Sequence, residues 1–406
     1  MHLSDKKRGI LAVAGSSLAI FWPGAFVFSF PGVMGPYWQK VFHVGRGAIG
    51  NTLFFVLAAL GVFMFFVGRW QERFGIRRMM TFGATLCGLN VLVIAYASNL
   101  SMLYLWAFIT GTASCFIYIP GLTSVQRWYP EKRGLVSGIF NLTFGISAAI
   151  MSPIFRWMFE TMGYFYMNIA LAILALATGL IAAQFTENPE RIASRQPSSS
   201  AQTKPLSKEV RSLTVRECLR TRNFWFLWLT WAFQGAAGIA MVTLSTAFGL
   251  SRGFTMESAV VILTAFNITN GLGRIVMGYL SDRITRNLAM SLTFLAAGFA
   301  YLLLPHFIGL PVLAILAAVV GFGFGTLFAV SAPLAGDCFG LKHFGAILGL
   351  IFTAYGFVSG LLGPSLSGYL LDMTSGNFVI VFSYLGLFCL LSGIFIRFVI
   401  PPHVKD

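Results

Sequence analysis

Apolar runs of about 20 residues recur along this 406-residue chain, and a helix of that length crosses the hydrocarbon core of a bilayer. Roughly twelve can be counted, near 10–34, 49–70, 79–98, 102–126, 134–158, 163–185, 223–250, 256–280, 288–308, 311–336, 343–371 and 377–399. Inside lipid, backbone N–H and C=O groups must be satisfied within the segment or in a closed barrel. Runs this long and continuous are therefore read as helices. Composition agrees, with 57% hydrophobic and 10% charged residues. The first run follows Lys6-Lys7-Arg8 and is too long, without a small-residue cleavage site, for an ordinary signal peptide. It is expected to be a retained first span. The expected fold class is an all-α integral membrane protein with twelve transmembrane helices.

The net charge of +15 reflects topology and not nucleic-acid binding. With the N-terminus inside, only Lys40, Arg46, Arg156 and Arg252 of the 28 basic residues fall outside, and one more, Arg274, lies within a span. That is the positive-inside pattern, which places both termini in the cytoplasm. The expected location is the inner (cell) membrane, with the lipid bilayer as partner and a monomer as the unit. Cys87, Cys115, Cys218, Cys338 and Cys389 are scattered and odd in number. They suggest free thiols, neither a disulfide framework nor a metal site.

The spans divide six and six, giving one helical bundle over 1–185 and a second over 223–406. Between them, 186–222 carries eight basic residues and a Gln196-Pro-Ser-Ser-Ser-Ala-Gln stretch. It is expected to be a cytoplasmic linker, with a short amphipathic helix near 210–219. The bundles repeat. Gly134, Gly138, Gly145 and Pro153 recur as Gly345, Gly349, Gly356 and Pro364 at a constant offset of 211, and Gly68 recurs as Gly278 at 210. A parallel duplication of this kind predicts a binding site near the bilayer midplane.

The eighth run carries Asn270-Gly-Leu-Gly-Arg274, with no Asp or Glu within one turn of the arginine along that helix. A guanidinium so deep costs roughly 2.5–3.5 kcal/mol on insertion scales. An anionic substrate is the simplest source of counter-charge. Thr264, Asn267, Asn270 and Arg274 share one helical face by their spacing of three, three and four. Arg274 can grip a carboxylate through two parallel N–H···O bonds, which a lysine cannot reproduce. Asn270 either donates to the same ligand or orients the guanidinium. Asn267 is read equally as a cavity residue or an interhelical bond. Tyr118 and Tyr355 offer phenol donors, with packing between helices as the alternative. Asn141 and Gln234 are read as candidates for the pocket or for structural bonds, and Phe28, near Pro23 and Pro31, as part of an apolar wall. Gly321-Phe-Gly-Phe-Gly325 looks like a nucleotide loop but sits in a span, where close helix approach explains it better.

The loop after the second run reads Gly68-Arg-Trp-Gln-Glu72-Arg73-Phe-Gly75-Ile-Arg77-Arg78, and its counterpart reads Gly278-Tyr-Leu-Ser-Asp282-Arg283-Ile-Thr-Arg286. Both resemble the signature loop of the major facilitator superfamily. The resemblance implies two pseudo-symmetric six-helix bundles, with Gly68, Glu72, Arg73, Arg77, Arg78, Gly278, Asp282 and Arg283 acting as a gating motif. Arg127-Trp-Tyr-Pro-Glu-Lys-Arg133-Gly134-Leu-Val-Ser-Gly138 and the arginine motif of the eighth span resemble the monocarboxylate transporters and their bacterial relatives, which include the oxalate–formate exchangers. In that family the matching arginine binds the carboxylate of lactate, pyruvate and similar acids, often with a proton. Three positions depart from it. Asn270 stands where animal members have Asp, Gly32 where they have Lys, and Tyr355 where the exchangers have a second cation. The first two remove the usual proton-coupling residues, and the third argues for one carboxylate over two.

No GxSxG, HExxH or Walker loop occurs, so neither catalysis nor an ATP-driven step is expected, and no cofactor or metal. The expected function is secondary transport of a small monocarboxylate by alternating access, with proton symport preferred. Glu257 and Asp337 are the nearest proton-coupling candidates. Electroneutral anion exchange of the oxalate–formate type is the rival, and a non-transporting membrane sensor the reading from another class.

Overall fold

The computed structural model describes residues 5–186 and 212–401, so most of the expected linker lies outside the described residues. All regular structure among the described residues is helical. In chain order the helices are α1 (Asp5–Phe28), α2 (Phe30–Phe42), α3 (Arg46–Phe74), α4 (Ile76–Ala95), α5 (Leu100–Trp128), α6 (Arg133–Gln184), α7 (Val215–Leu219), α8 (Arg222–Ser251), α9 (Met256–Leu280), α10 (Arg286–Leu303), α11 (Leu310–Phe339), α12 (Phe344–Thr353), α13 (Leu366–Met373) and α14 (Phe378–Arg397). Between α12 and α13 the chain runs through two π-helical segments, Ala354–Ser359 and Leu361–Ser365.

Eleven stretches of described residues are long and apolar enough to cross a bilayer. One of them, α6, has 52 residues, which as one straight helix would need about 78 Å at 1.5 Å per residue, far more than one crossing takes. At Gly163 its backbone leaves the helix, with φ 73 and ψ 170. That left-handed geometry suits glycine alone among common residues, and nothing crowds the position. Two runs meet there, which reconciles eleven stretches with twelve sequence runs. The first span breaks at Ser29, between α1 and α2. Pro31 follows; its ring clashes with the carbonyl four residues back and it donates no N–H, so a continuous helix cannot pass through it undisturbed. The short helix expected near 210–219 is α7, closed by a capping box in which Thr214 and Glu217 satisfy each other's backbone.

By packing, the chain divides into two units. Unit 1 comprises the described residues of Met1–Glu131, Ile139–Glu209 and Leu341–Leu350; unit 2 comprises those of Lys132–Gly138, Val210–Gly340 and Ile351–Asp406. The first turns of α6 group with unit 2 while the rest of that helix groups with unit 1; at the repeat-related positions, residues 344–350 of α12 group with unit 1 and residues 351–353 with unit 2.

In lipid there is little hydrophobic force between helices, so close backbone approach and interhelical hydrogen bonds carry association. Unit 1 shows both. Asn90 Nδ2 donates to the Trp106 carbonyl and to Thr110 Oγ1, each at 2.9 Å. Trp38 Nε1 donates to Tyr164 OH at 2.9 Å, and that hydroxyl donates to the Ile94 carbonyl at 2.8 Å. Phe26, Phe30, Trp38, Trp106 and Phe155 fill the space around them. In unit 2, α9 lies directly on α11. A Cβ on Gly321 or Gly325 would overlap the carbonyl of Phe266 or Asn270, and Thr269 Oγ1 donates to the Ala318 carbonyl at 2.6 Å. The Gly-Phe-Gly-Phe-Gly string is therefore a contact surface for another helix.

Gly325→Val is expected to separate α9 from α11 and lower the melting temperature of detergent-purified protein by several degrees. Gly309→Ala, at a position with open space around it, is expected to leave melting unchanged. Equal melting of both variants with wild type would contradict the close-approach account.

Candidate functional site

Arg274 lies six residues before the end of α9 and is 3% exposed. Its Nε donates to Asn270 Oδ1 one turn earlier, at 3.4 Å, and its guanidinium carbon sits 4.9 Å from the centre of the Phe328 ring. The planar cation on an aromatic face is a cation–π contact, strengthened where water is excluded. Glycines hold the backbone here on two sides. A Cβ on Gly325 would come within 3.2 Å of the Arg274 amide nitrogen, and one on Gly138 would overlap the Arg274 carbonyl.

Phe328 belongs to a larger aromatic group. Its ring centre is 5.0 Å from Trp231, 5.7 Å from Tyr355 and 5.3 Å from Phe324. Trp231 also packs at 4.3 Å on Phe352 and 5.4 Å on Tyr355. Tyr355 stands in the first π-helical segment, whose Ser359 hydroxyl donates to the carbonyls of Trp231 and Ala232 at 3.0 and 3.1 Å. π-Helical turns inside helices occur often at functional sites, because they re-aim side chains along one turn. Arg274, Asn270 and Tyr355 are thus brought into one neighbourhood of unit 2 through Phe328. Phe328, Trp231 and Phe352 were not singled out from the sequence. The one available signal was Phe324 and Phe328 at i, i+4 around Gly325.

Other expected site residues lie elsewhere. Tyr118 and Asn141 meet in unit 1, where Tyr118 OH donates to Asn141 Oδ1 at 2.7 Å; both are buried. Phe28, at the end of α1, is 45% exposed and edges Phe144 at 5.1 Å. Thr264 and Asn267 are exposed, so the polar stripe on α9 becomes more buried toward Arg274. Gln234, on α8, is fully buried, and neither of its amide atoms has a hydrogen-bond partner among the described residues.

The repeated glycines perform matched tasks. In unit 2 a Cβ on Gly278 would overlap the Gly134 carbonyl; in unit 1 a Cβ on Gly68 would overlap the Gly345 carbonyl. Gly138 faces the Arg274 carbonyl as Gly349 faces the Met64 carbonyl. The acids at the repeat-related loop positions do different things. Both oxygens of Asp282 accept backbone N–H groups at the start of α6, from Gly134 and Leu135 at 2.9 Å each, where an anion also meets the positive end of the helix dipole. Glu72 instead pairs with His343 Nδ1 at 3.1 Å. Arg73 and Arg283 lie over the neighbouring rings of Phe74 and Tyr279, and Arg77 and Arg78 are exposed.

Asp337 bonds Arg133 at 3.1 Å and Arg286 at 2.7 Å, and Arg286 also reaches Asp282 at 3.3 Å. This residue, a proton-coupling candidate by sequence, stands inside a four-member charge network. Glu257 is exposed in the first turn of α9, 17 residues from Arg274, or about 25 Å along the helix. All five cysteines are free and buried, and the described residues contain no cluster of three metal-ligating side chains.

The fold has close counterparts. The outward-facing crystal structure of the major facilitator superfamily transporter FucP superposes with a TM-score of 0.70 over 96% of this chain and 98% of that one, at 15% identity. Residues 16–263 and 261–406 match the Major Facilitator Superfamily. This chain belongs to that superfamily, whose members with this fold are membrane transporters. It is 26% identical to the MFS-type transporter YhjX of Escherichia coli (strain K12) over 72% of this chain and 71% of that protein. It is 23% identical to the oxalate:formate antiporter of Oxalobacter formigenes over 71% of this chain and 67% of that one, and 26% identical to monocarboxylate transporter 13 of Rattus norvegicus over 82% and 75%.

Asp282→Asn removes a charge and one of two acceptors at the start of α6. It is expected to destabilise unit 2 by about 1–2 kcal/mol, read as a lower melting temperature. Asp372→Asn, at an exposed position, is the control. Equal melting would leave the helix-capping role of Asp282 without support.

Proposed function

We propose that this protein is a secondary transporter of small monocarboxylates of the lactate and pyruvate type, working by alternating access in the inner membrane with both termini cytoplasmic. The observation that carries this reading is the placement of Arg274: a guanidinium 3% exposed, well inside a membrane-length apolar helix, oriented by Asn270 and stacked on Phe328. Such a group forms a fork for one carboxylate. The aromatic surround suits a short aliphatic tail. Relatives that carry monocarboxylates, or oxalate and formate, support the same substrate class.

A lone anion entering a cell moves against an inside-negative potential, at about 2.3 kcal/mol per 100 mV. A proton travelling with it removes that cost. The two acids considered for this step sit apart from Arg274 along α9 or in ion pairs with two arginines. Symport would therefore carry the proton on the substrate or through water. Electroneutral exchange of two anions needs no proton carrier at all, and the setting of Asp337 and Glu257 favours keeping it as the second reading.

Arg274→Lys keeps the charge and loses the fork. In proteoliposomes, its lactate uptake under an inward proton gradient is expected to fall by roughly tenfold or more, with the protein still folded. Unchanged uptake would remove Arg274 from the site. Counterflow separates the two couplings: exchange requires acid on both faces, whereas symport responds to the pH gradient alone.

A further inference from the structure

We propose that the indole N–H of Trp231 is a second donor for the substrate held by Arg274, and that it selects acids with an oxygen on the carbon next to the carboxylate. The inference rests on the monocarboxylate reading of that site. Trp231 is 0% exposed, yet its Nε1 has no hydrogen-bond partner among the described residues. A buried donor left unmade costs about 1–3 kcal/mol, and such groups are rare in native proteins. Neighbouring tryptophans show the usual solution. Trp228 Nε1, one turn earlier on α8, donates to Thr353 Oγ1 at 3.0 Å, and Trp225 Nε1 donates to the Leu219 carbonyl at 3.0 Å.

Location sets Trp231 apart from the other orphaned groups. Trp106 Nε1 also has no hydrogen-bond partner among the described residues, but it belongs to the Phe30 and Trp38 cluster of unit 1. Gln234, the next turn of α8, has its amide nitrogen beside Gly323, on the side of α11 that also meets the Thr293 carbonyl on α10. Trp231 instead packs edge-on against Phe328, the ring whose face carries the Arg274 guanidinium. Depth agrees as well. Trp231 lies nine residues into α8 and Arg274 six residues from the end of α9, and the two helices run in opposite directions as successive spans.

A site that hydrogen-bonds a substrate oxygen rejects the analogue lacking it far more strongly than an apolar pocket rejects a small change in size, because its donor is then left unpaired. Lactate and propionate differ by a single hydroxyl. A carboxylate on Arg274 with its neighbouring oxygen accepting from Trp231 would distinguish 2-hydroxy and 2-oxo acids from plain short acids.

The test compares uptake of pyruvate and of propionate by full-length protein in proteoliposomes, for wild type and Trp231→Phe. The variant keeps a ring in the aromatic group and deletes the N–H. The expected result is a fall of about tenfold in the pyruvate-to-propionate ratio of kcat/KM, whatever the common change in both rates, as the loss of one buried hydrogen bond predicts. An unchanged ratio, or an equal fall for both acids, overturns the proposal and leaves Trp231 as packing. Trp231→His, which restores a ring N–H, is expected to recover part of the ratio. Should Trp231→Phe fail to reach the membrane, competition on wild type decides: pyruvate and lactate must outcompete propionate by about tenfold, and equal competition overturns the proposal. Wild type that carries neither acid removes the monocarboxylate reading itself, and this inference falls with it.

Discussion

A guanidinium held away from water within a span is the constraint on which the second unit depends. Arg274 cannot be left to apolar neighbours alone at a cost of several kcal/mol. Its surroundings are arranged accordingly: an amide oxygen one turn away, an aromatic face beneath, and backbone pinned by Gly138 and Gly325. Each is made possible by a residue that is small or planar. With larger side chains at those glycines, α9 could not lie against α11, and Phe328 would not sit under the charge.

The duplication is visible in physical tasks as well as in letters. Glycines at matching positions meet matching backbone carbonyls in each unit. The acids of the two loops have diverged: Asp282 caps the start of α6 and joins Arg286, Asp337 and Arg133, whereas Glu72 takes a histidine. In one repeat the loop acid joins a four-member charge network; in the other it pairs with His343. Such divergence is what one expects where the common requirement is a close helix crossing and the charges around it are free to specialise.

Much of this was readable from the chain itself. Run length gave the spans, because lipid dictates how many apolar residues a crossing needs. Pro31 was legible as a point of bending, since its ring restrains the backbone; the break at Gly163 showed only as the gap between the runs 134–158 and 163–185, because glycine permits such a geometry without announcing it. The pairing of Asn270 with Arg274 followed from four-residue spacing on one helix. What escaped was contact between helices remote in sequence. Tyr118 with Asn141, Arg133 with Asp337, and Phe328 beneath Arg274 are separated by 23, 204 and 54 positions, and no local pattern announces them. The π-helical turn at Tyr355 was equally hidden: Gly356 and Pro364 were read there only as repeat positions, and the bond from Ser359 to the Trp231 carbonyl on α8 joins residues 128 positions apart.

Transport of a monocarboxylate by this protein requires the Arg274 fork to be the place where the substrate carboxylate rests. A high-resolution structure of the protein with bound pyruvate tests this most directly. The account predicts both carboxylate oxygens about 2.7–2.9 Å from guanidinium nitrogens of Arg274. Pyruvate bound elsewhere, with that guanidinium turned to a carboxylate of the protein itself, would contradict it.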